Sequence, residues 1–180
     1  ALAAAPPDVA GRVRTVRGDA QEAAALLAPE KFDAVLCHGV LMYFPDPVPL
    51  LGELARLVAP GGILSLLVRN ANGLAMRPGL LGDWAAAQRA FDETAYDNRI
   101  GVAARADRLE ELAALLGGRR LALRAWYGVR VFTDLAARDA PLPGDREIAA
   151  LLACEERAGA TDPYRRVAAL THLIADRGPL

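Results

Sequence analysis

The chain has 180 residues, of which 53% are hydrophobic and 24% charged, with a formal net charge of -1. This length suits one ordinary domain with a real core, and the near-neutral charge gives no general electrostatic case for nucleic-acid binding. No stretch approaches the roughly 18 apolar residues of a membrane-spanning helix. The two cysteines, Cys37 and Cys154, lack metal-ligand or disulfide spacing, so we expect no metal, no membrane and a reducing, cytoplasmic location.

The first part of the chain alternates predicted strands and helices. Residues 12–17 alternate apolar and basic residues, which is typical of a strand, and residues 21–28 predict a short helix that Pro29 closes. Residues 32–37 are a nearly continuous apolar run with one acid. That pattern predicts a strand buried on both faces of a parallel sheet.

Another helix and strand follow directly. Leucines at helical spacing predict a helix over residues 47–58, which the APGG sequence ends, and residues 62–68 predict a third buried strand. Strands and helices that alternate with short connections indicate a parallel α/β sheet with right-handed crossovers.

The second part of the chain is less regular. Asp107 is the expected N-cap of an amphipathic helix that Gly117 and Gly118 end, and Gly128 is a candidate interruption of the strand that follows. The predicted elements are broken helix over 70–92, extended chain over 98–107, a helix over 107–118, a strand over 119–134, and helices over about 145–158 and 163–176.

Polar or small residues follow three of the apolar runs. They occupy residues 18–21, 38–40 and 69–72. In an open parallel sheet, ligands bind beyond the carboxyl ends of the strands. We therefore expect these three clusters to line one edge of the sheet.

Two stretches resemble a known family. VRGDAQE at residues 16–22 and FDAVLCHGVLMYFPDPVPLLGELARLVAPGGILSLLVRNA at residues 32–71 are similar to the latter half of a class I S-adenosylmethionine-dependent methyltransferase. They match its acidic turn, its fourth strand with an aromatic-containing loop, and its PGG turn into the fifth strand. The resemblance implies a methyltransferase, S-adenosylmethionine as cofactor, and a Rossmann-like α/β fold with parallel strands, helices on both faces and a C-terminal antiparallel strand.

Three further stretches resemble the tRNA 5-carboxymethoxyuridine methyltransferase family. They are SLLVRNANGLAMRPGLLGDW at residues 65–84, YGVRVFTD at residues 127–134 and DPYRRVAALTHLIA at residues 162–175. That family esterifies the carboxylate of a modified wobble uridine. The resemblance therefore implies carboxyl O-methylation, with the tRNA anticodon loop as partner.

The family's glycine-rich cofactor loop, and the acid that ends its second strand, have no counterpart in this sequence. We therefore expect residues 1–180 to be the C-terminal portion of a single methyltransferase domain that binds cofactor poorly or not at all. Residues 1–70 would form its cofactor-side α/β core. Residues 71–180 would form its acceptor-side region and closing helices.

The resemblance implies four cofactor-binding residues. Asp19 would accept a hydrogen bond from the adenine amino group, the backbone at Ala20 and Gln21 would meet the adenine ring, and His38 would close over the cofactor. Alternatively, Asp19 is a turn or N-cap residue and His38 is a core histidine bonded to backbone. A carboxylate acceptor is already ionised near neutral pH, so His38 is assigned binding rather than proton transfer.

Acceptor-side candidates follow the fifth strand of the family pattern or lie in the later family stretches. Arginine supplies the paired cation that a carboxylate needs in a dry pocket, and a tyrosine can stack on an anticodon base. Each arginine could instead be a solvated surface residue, and each tyrosine a core residue. None is assigned catalytic proton transfer, because methyl transfer depends chiefly on positioning. The candidates are Asn70, Arg69, Arg77, Arg130, Tyr164 and Arg165.

Two other functions remain open at this point. The acceptor could be a small carboxylic or hydroxylated metabolite, which the near-neutral charge favours slightly. A chain without the glycine loop could also be a fragment or a non-catalytic binding module. Clustering of Arg69, Arg77, Arg130 and Arg165 on one face would favour RNA.

Overall fold

The computed structural model describes residues 6–98, 100–135 and 143–178. Strands within these ranges are β1 (Phe32–His38), β2 (Val58–Arg69), β3 (Ala95–Asp97), β4 (Ala103–Arg105), β5 (Leu121–Val129) and β6 (Leu170–Arg177). The helices are α1 (Pro7–Ala10), α2 (Ala23–Leu26), α3 (Val48–Leu57), α4 (Met76–Leu80), α5 (Trp84–Asp92), α6 (Leu109–Gly117) and α7 (Asp145–Ala160).

Four strands form one mixed sheet in the order β1-β2-β6-β5. Strands β1 and β2 are parallel, whereas β6 is antiparallel to both β2 and β5. The predicted α/β class and its antiparallel C-terminal strand are confirmed. The register places His38 opposite Leu67, and Arg69 opposite Leu170. The carboxyl ends of β1 and β2 therefore meet the start of β6 at one edge of the sheet.

Helices α3 and α6 pack on one face of this sheet and enclose the main core. Burying a leucine side chain stabilises a fold by roughly 1.5–3 kcal/mol, and leucine supplies most of this core. The fully buried leucines of the core are Leu41, Leu50, Leu51, Leu64, Leu66, Leu112, Leu116, Leu121 and Leu173.

The opposite face of β1 is open. Leu36 points away from the core and is 63% exposed, while Val35 and Cys37 are buried. The prediction that β1 is buried on both faces is wrong, because within the described residues a helix packs against only the Val35 side of this strand.

The predicted strand over residues 12–17 is also wrong. This segment is irregular and exposed, and β1 is an edge strand of the four-stranded sheet. Val13 and Val16 are both largely exposed. Alternating apolar residues stabilise a strand only when a neighbour supplies hydrogen bonds and cross-strand contacts, and this segment has neither within the described part of the chain.

The C-terminal segment is a strand rather than the predicted helix over residues 163–176. A 3-10 turn at Tyr164–Val167 leads into β6, which lies between β2 and β5. Thr171, Leu173 and Ala175 are buried on the core face. The apolar residues fit both helical and strand spacing, and hydrogen bonds to two neighbouring strands decide in favour of the strand.

Two smaller predictions also fail. Helix α6 begins at Leu109 with Arg108 as its N-cap, whereas Asp107 is buried and forms an ion pair with Arg105. Burial raises the pKa of Asp107, although Arg105 acts in the opposite direction. Strand β5 runs through Gly128, and its irregularity lies before Ala125 instead.

The other predicted elements agree with the structure within a few residues. Helices α3 and α7, the broken helix α4 with α5, and strand β2 lie where the sequence predicts them. The 3-10 turn at Ala20–Glu22 and helix α2 replace the single helix predicted over residues 21–28. Of the helices described, none combines the length and apolar character needed to cross a membrane.

Helix α7 packs closely against the sheet where Gly159 of the helix meets Gly128 of β5. A Cβ atom at Gly159 would overlap the carbonyl oxygen of Gly128, and a Cβ at Gly128 would lie 2.7 Å from the Cα of Arg165. Backbone therefore packs against backbone where α7, β5 and the turn before β6 meet. This close approach holds the end of β5, which carries part of the site described below.

The Gly159 contact yields a stability prediction. We expect Gly159→Ala to lower the free energy of unfolding by about 1–3 kcal/mol, because the added methyl group has no space. Gly52→Ala is the matched control: Gly52 lies inside α3 with nothing within 4 Å of its Cβ position, so alanine should stabilise by up to about 1 kcal/mol. Urea unfolding measures both, and equal effects would contradict this packing.

Candidate functional site

The tips of β1 and β2 lie side by side, as the sequence predicts. His38 ends β1, and the N–H of the next residue, Gly39, donates a hydrogen bond to the Leu67 carbonyl oxygen at 2.9 Å. Gly39 has a φ of +67°, a conformation that suits glycine. The chain turns there into the loop carrying Met42 and Tyr43, beside the end of β2 at Arg69.

The turn at Asp19 adopts the alternative capping arrangement. The Asp19 carboxylate accepts a hydrogen bond from the Gln21 N–H at 2.9 Å and caps the 3-10 turn that begins at Ala20. The segment that follows is held against α3 by a 2.9 Å bond from the Ala24 N–H to Glu53. No contact within the described residues joins Asp19 to His38, so its cofactor role stays a prediction.

A cavity of about 410 Å³ lies at the tip of β2. Arg69, Arg77 and Arg130, which come from three separate segments, line it together. These are three of the four arginines whose clustering the sequence analysis considers. Aromatic side chains from the loop after β1 and from β3, Tyr43 and Tyr96, form part of the same wall.

Asp134 lies among the three arginines. Its carboxylate is 3.0 Å from Arg130 Nη2, 3.7 Å from Arg69 Nη1 and 3.9 Å from Arg77 Nη1. Arg77 also donates to the Asp134 carbonyl oxygen. Within the described residues, three guanidinium groups therefore face this carboxylate, and Asp97 supplies a second carboxylate to the cavity lining. The lining keeps one net positive charge, which favours an anion.

Arg69 is the most enclosed of these cations. Its side chain is 12% exposed, its guanidinium lies 5.7 Å from the centre of the Tyr96 ring, and its Nε has no hydrogen-bond partner in the described part of the chain. Burial lowers the pKa of Arg69, while Asp134 acts in the opposite direction. An anion in the cavity would offset this desolvation.

The segment that carries Asp134 is anchored by helix α7. Glu155 accepts hydrogen bonds of 2.8–2.9 Å from the backbone N–H groups of Val131, Phe132 and Thr133. Burial alone would raise the pKa of Glu155, but these donors outweigh it and the pKa is lowered. Arg130, at the start of this segment, has a φ of +60°, which is an unfavourable conformation for arginine.

The side chain of Asn70 makes structural hydrogen bonds. Its side-chain amide donates to the carbonyl oxygens of Arg166 at 2.9 Å and Ala168 at 2.8 Å, and its oxygen accepts from the Asn72 N–H at 3.1 Å. The residue is buried. Both amide hydrogens thus join the end of β2 to the segment before β6, and neither is available to an acceptor in this conformation.

Arg165 and Tyr164 lie away from the arginine cluster. Arg165 pairs with Asp162 at 3.0 Å and stacks 3.9 Å from the centre of the Trp126 ring. Tyr164 is half exposed, and its ring centre is 6.4 Å from that of Phe132. The structure therefore brings together three of the four arginines and leaves the fourth in a separate aromatic environment.

Two histidines share one serine on the sheet face opposite α3. His38 Nε2 is 2.8 Å from Ser65 Oγ, and His172 Nε2 is 2.7 Å from the same oxygen. The imidazole rings meet edge to face with centres 5.5 Å apart. Burial and, to a lesser extent, His38 lower the pKa of His172. The bond of His38 is thus to a side chain, not to backbone.

Sequence reasoning missed several of these residues. Asp134 lies in the quoted stretch at residues 127–134, but nothing in its spacing signals contact with Arg69. His172 lies in the segment predicted as a helix, which hid its alignment with Ser65. Glu155 reads as an ordinary exposed residue of an amphipathic helix. In each case the partner is distant in sequence, and only the folded sheet brings the two together.

The described residues contain no group of three or more histidine, cysteine, aspartate or glutamate side chains arranged to hold a metal ion. Cys37 is buried, and burial raises the pKa of its thiol. A raised pKa disfavours the reactive thiolate, which agrees with the interpretation of Cys37 as a small core residue.

Comparison with known proteins supports the resemblance stated above. Residues 1–66 match the family described as "Methyltransferase domain". The predicted resemblance to the methyltransferases is confirmed. An 82-residue stretch is 35% identical to a ubiquinone biosynthesis O-methyltransferase of Paracidovorax citrulli and covers 46% of this chain. A 52-residue stretch is 40% identical to the tRNA 5-carboxymethoxyuridine methyltransferase of Escherichia coli K12 and covers 29% of this chain.

These alignments reach only part of each relative. They cover 32% of the ubiquinone biosynthesis enzyme and 20% of the tRNA enzyme. Among solved structures, a Burkholderia thailandensis 1,6-didemethyltoxoflavin-N1-methyltransferase with bound S-adenosylhomocysteine aligns with a TM-score of 0.51 and 18% identity. The alignment covers 97% of this chain and 58% of that one. At this identity the likeness shows the class I methyltransferase fold alone.

Removing the central carboxylate tests the arginine cluster. We expect Asp134→Asn to lower the free energy of unfolding by about 1–3 kcal/mol, because the largely enclosed Arg69 and its two more exposed neighbours lose their charged acceptor. Added phosphate should stabilise this variant more than the wild type, because the anion can take the place of the carboxylate.

Asp162→Asn is the control for the cluster. Asp162 also pairs with arginines, Arg165 and Arg166, but it is exposed to solvent, so its loss should change stability little. Chemical denaturation with and without phosphate measures both variants. Equal losses, or no difference in the response to phosphate, would contradict the cluster as described.

The half-buried His172 predicts a pH dependence of stability. Its folded pKa is lowered, so the unfolded chain binds a proton more readily. The contribution of His172 to the free energy of unfolding is fully present above about pH 6.5, and it is lost as pH falls through the pKa of His172 in the folded state. We expect His172→Gln to reduce the loss of stability between about pH 7.5 and about pH 5, measured by urea unfolding at each pH. Identical profiles would contradict it.

Proposed function

We propose that this chain is part of an S-adenosylmethionine-dependent O-methyltransferase whose acceptor carries an anionic group. One observation carries the proposal: Arg69, Arg77 and Arg130 line a single cavity beside the tip of β1, where methyltransferases of this fold would be expected to hold their cofactor. The family match over residues 1–66 supports the reaction type.

The residues at the tip of β1 fit one wall of a cofactor site. His38 is exposed at the end of the strand, and a Cβ atom at Gly39 would meet nothing within 4 Å. We assign this wall to His38 and the loop that follows, and a second contact to the turn of Asp19, Ala20 and Gln21. When bound, S-adenosylmethionine supplies an activated methyl group that moves to the acceptor by in-line displacement.

The arginines would act by holding the acceptor. A carboxylate loses hydration on entering the cavity, and paired guanidinium groups compensate for that loss while they fix its orientation. Alignment of this kind can supply a large part of the rate enhancement of such a displacement. Tyr43 and Tyr96 offer ring surfaces in the same cavity for a planar acceptor. Asn70 is assigned a supporting role, because its amide joins β2 to the segment before β6.

The first acceptor we propose is 5-carboxymethoxyuridine at the wobble position of tRNA. A carboxylate matches the charge of the arginine cavity, and the similarity to the Escherichia coli tRNA enzyme supports this choice. Tyr164 and Phe132 form a half-exposed ring pair on which a splayed base could stack. Phe132 lines a neighbouring cavity that shares Arg77 and Arg130 with the first. Arg165 would contact the RNA backbone.

A hydroxylated small molecule is the second acceptor. A hydroxyl group must lose its proton when it is methylated, and the linked His38, Ser65 and His172 offer groups that can take one up. The similarity to a ubiquinone biosynthesis O-methyltransferase points in the same direction. In this case the arginines would hold an anionic substituent rather than the reacting atom.

We also propose a division of labour along the chain. Residues 1–70 would contribute the cofactor side, and residues 71–180 the acceptor side, of a single methyltransferase domain that works in the cytoplasm. The arginine cavity joins these parts, because Arg69 comes from β2 while Arg77 and Arg130 come from the later segments.

Mass analysis of tRNA nucleosides tests the tRNA acceptor. Deleting the gene should remove the methyl ester of 5-carboxymethoxyuridine, and the wild-type gene should restore it. Arg130→Gln should restore at most about a tenth of the ester. The variant loses the attraction between the guanidinium group and the acceptor carboxylate, and a loss of about 1.4 kcal/mol lowers a rate tenfold. Arg124→Gln is the control, since Arg124 pairs with Asp176 near the far end of β6. Unchanged ester in the deletion strain would remove this acceptor.

A further inference from the structure

His38 and His172 are the two histidines of this chain, and both bond through Nε2 to the same serine oxygen. They come from β1 and β6, and Ser65 lies on β2 between them. Ser65 is buried. Three strands must therefore be in register for this arrangement to form, which makes it a built feature of the sheet.

The hydrogens of this arrangement can be counted. A serine hydroxyl has one hydrogen to donate, and its oxygen can accept bonds. If Ser65 donates to one neutral imidazole, the bond to the other imidazole must come from an Nε2–H that donates to Ser65. When both rings are neutral, one carries its hydrogen on Nε2 and the other carries it on Nδ1. The tautomer of His38 therefore depends on that of His172.

We propose that Ser65 and His172 are positioning residues that set the tautomer of His38, so that the three side chains act as one unit. If His172 takes up a proton, its Nε2–H must donate to Ser65. The serine hydrogen then turns to His38, whose own hydrogen must lie on Nδ1. A change at His172 is thus transmitted to the ring that ends β1, through hydrogen bonds alone.

Few other charged or titratable groups of the described residues face the pair. The Tyr127 ring on β5 lies 6.3 Å from that of His172. The side chain of Arg69 lies on the same face of β2, two residues beyond Leu67, and that of Asp176 lies four residues beyond His172 on β6. The helices that enclose the core pack on the other face. Two imidazolium ions with ring centres 5.5 Å apart would repel each other, and His38 accordingly adds to the lowering of the pKa of His172 that burial causes.

The inference rests on the proposed function only for the role of His38 in methyl transfer. With a hydroxyl acceptor, bound S-adenosylmethionine would supply the methyl group and keep the electron pair of the broken bond on its sulfur, so that the acceptor oxygen would have to give up its proton. The acceptor proton passes to His38 Nδ1, the His38 Nε2 hydrogen passes to Ser65, and the serine hydrogen passes to His172 Nε2. His172 is left as an imidazolium. A carboxylate acceptor releases no proton and needs only the fixed tautomer.

Nitrogen-15 NMR of the ring nitrogens tests the coupling. Two histidines give four ring nitrogens, so the spectrum of the wild-type chain contains few signals, and loss of one set in His172→Gln assigns the two rings. Near neutral pH we expect one ring protonated on Nε2 and the other on Nδ1, or both averaged between these states if the bonds reverse rapidly. Two rings that both hold their hydrogen only on Nε2 would overturn the inference.

Ser65→Ala is the decisive variant. Without the bridging hydroxyl, the ring that is protonated on Nδ1 should revert to the Nε2 form, which free imidazole side chains favour. Thr171→Val is the matched control, because it removes a buried hydroxyl from the residue next to His172 on the core face of β6, and it should leave both tautomers unchanged. Unchanged tautomers in Ser65→Ala would overturn the inference.

The readout separates this inference from the proposed function. Ring tautomers are measured on the protein alone, with no cofactor and no acceptor, so a failure of methyl transfer leaves the result intact. The wild-type spectrum is decisive by itself, so the test holds even if Ser65→Ala folds poorly.

Discussion

The structure depends on the insertion of β6 between β2 and β5. Hydrogen bonds on both sides of β6 join the last segment of the chain to the strand that ends at Arg69. Leu170 then lies opposite Arg69, and His172 lies within reach of Ser65. The buried Asn70 amide fixes the entry to this strand by bonding to the carbonyl oxygens of two residues that precede it. Without this strand, neither the cavity nor the histidine pair would form.

The fold holds the arginines of the cavity in an energetically unfavourable arrangement. Arg69 is largely removed from water, and Arg130 has a backbone conformation that arginine seldom adopts. Asp134 offsets part of the repulsion, and Glu155 holds the backbone that presents it. Surroundings that fix charged groups in advance reduce the reorganisation needed when a ligand arrives. The cluster therefore suits recognition of an anion better than it suits stability alone.

The two acceptor classes would use different side chains near the carboxyl ends of β1 and β2. A carboxylate uses the arginines directly and needs no base, whereas a hydroxyl needs a route for its proton. The arginine cavity and the linked histidines lie on the same face of the sheet. Arg69 and Leu67 lie on that face of β2, because they alternate with residues that point into the core. One site could thus hold an anionic group with the arginines while the histidines serve a different atom.

The sequence by itself determined the α/β class, the methyltransferase resemblance, helices α3 and α7, and the meeting of the β1 and β2 tips. The resemblance rests on the matching stretches of residues, and the other features follow from local apolar spacing and from glycine and proline positions. It misjudged residues 12–17 and 163–176, because a short apolar pattern fits strand, helix or coil until neighbours supply hydrogen bonds. Only the tertiary structure decided that Asp134 would meet Arg69, and that Ser65 would join His38 to His172. Those contacts connect residues between 27 and 107 positions apart, and no local pattern records which distant side chains will share a face.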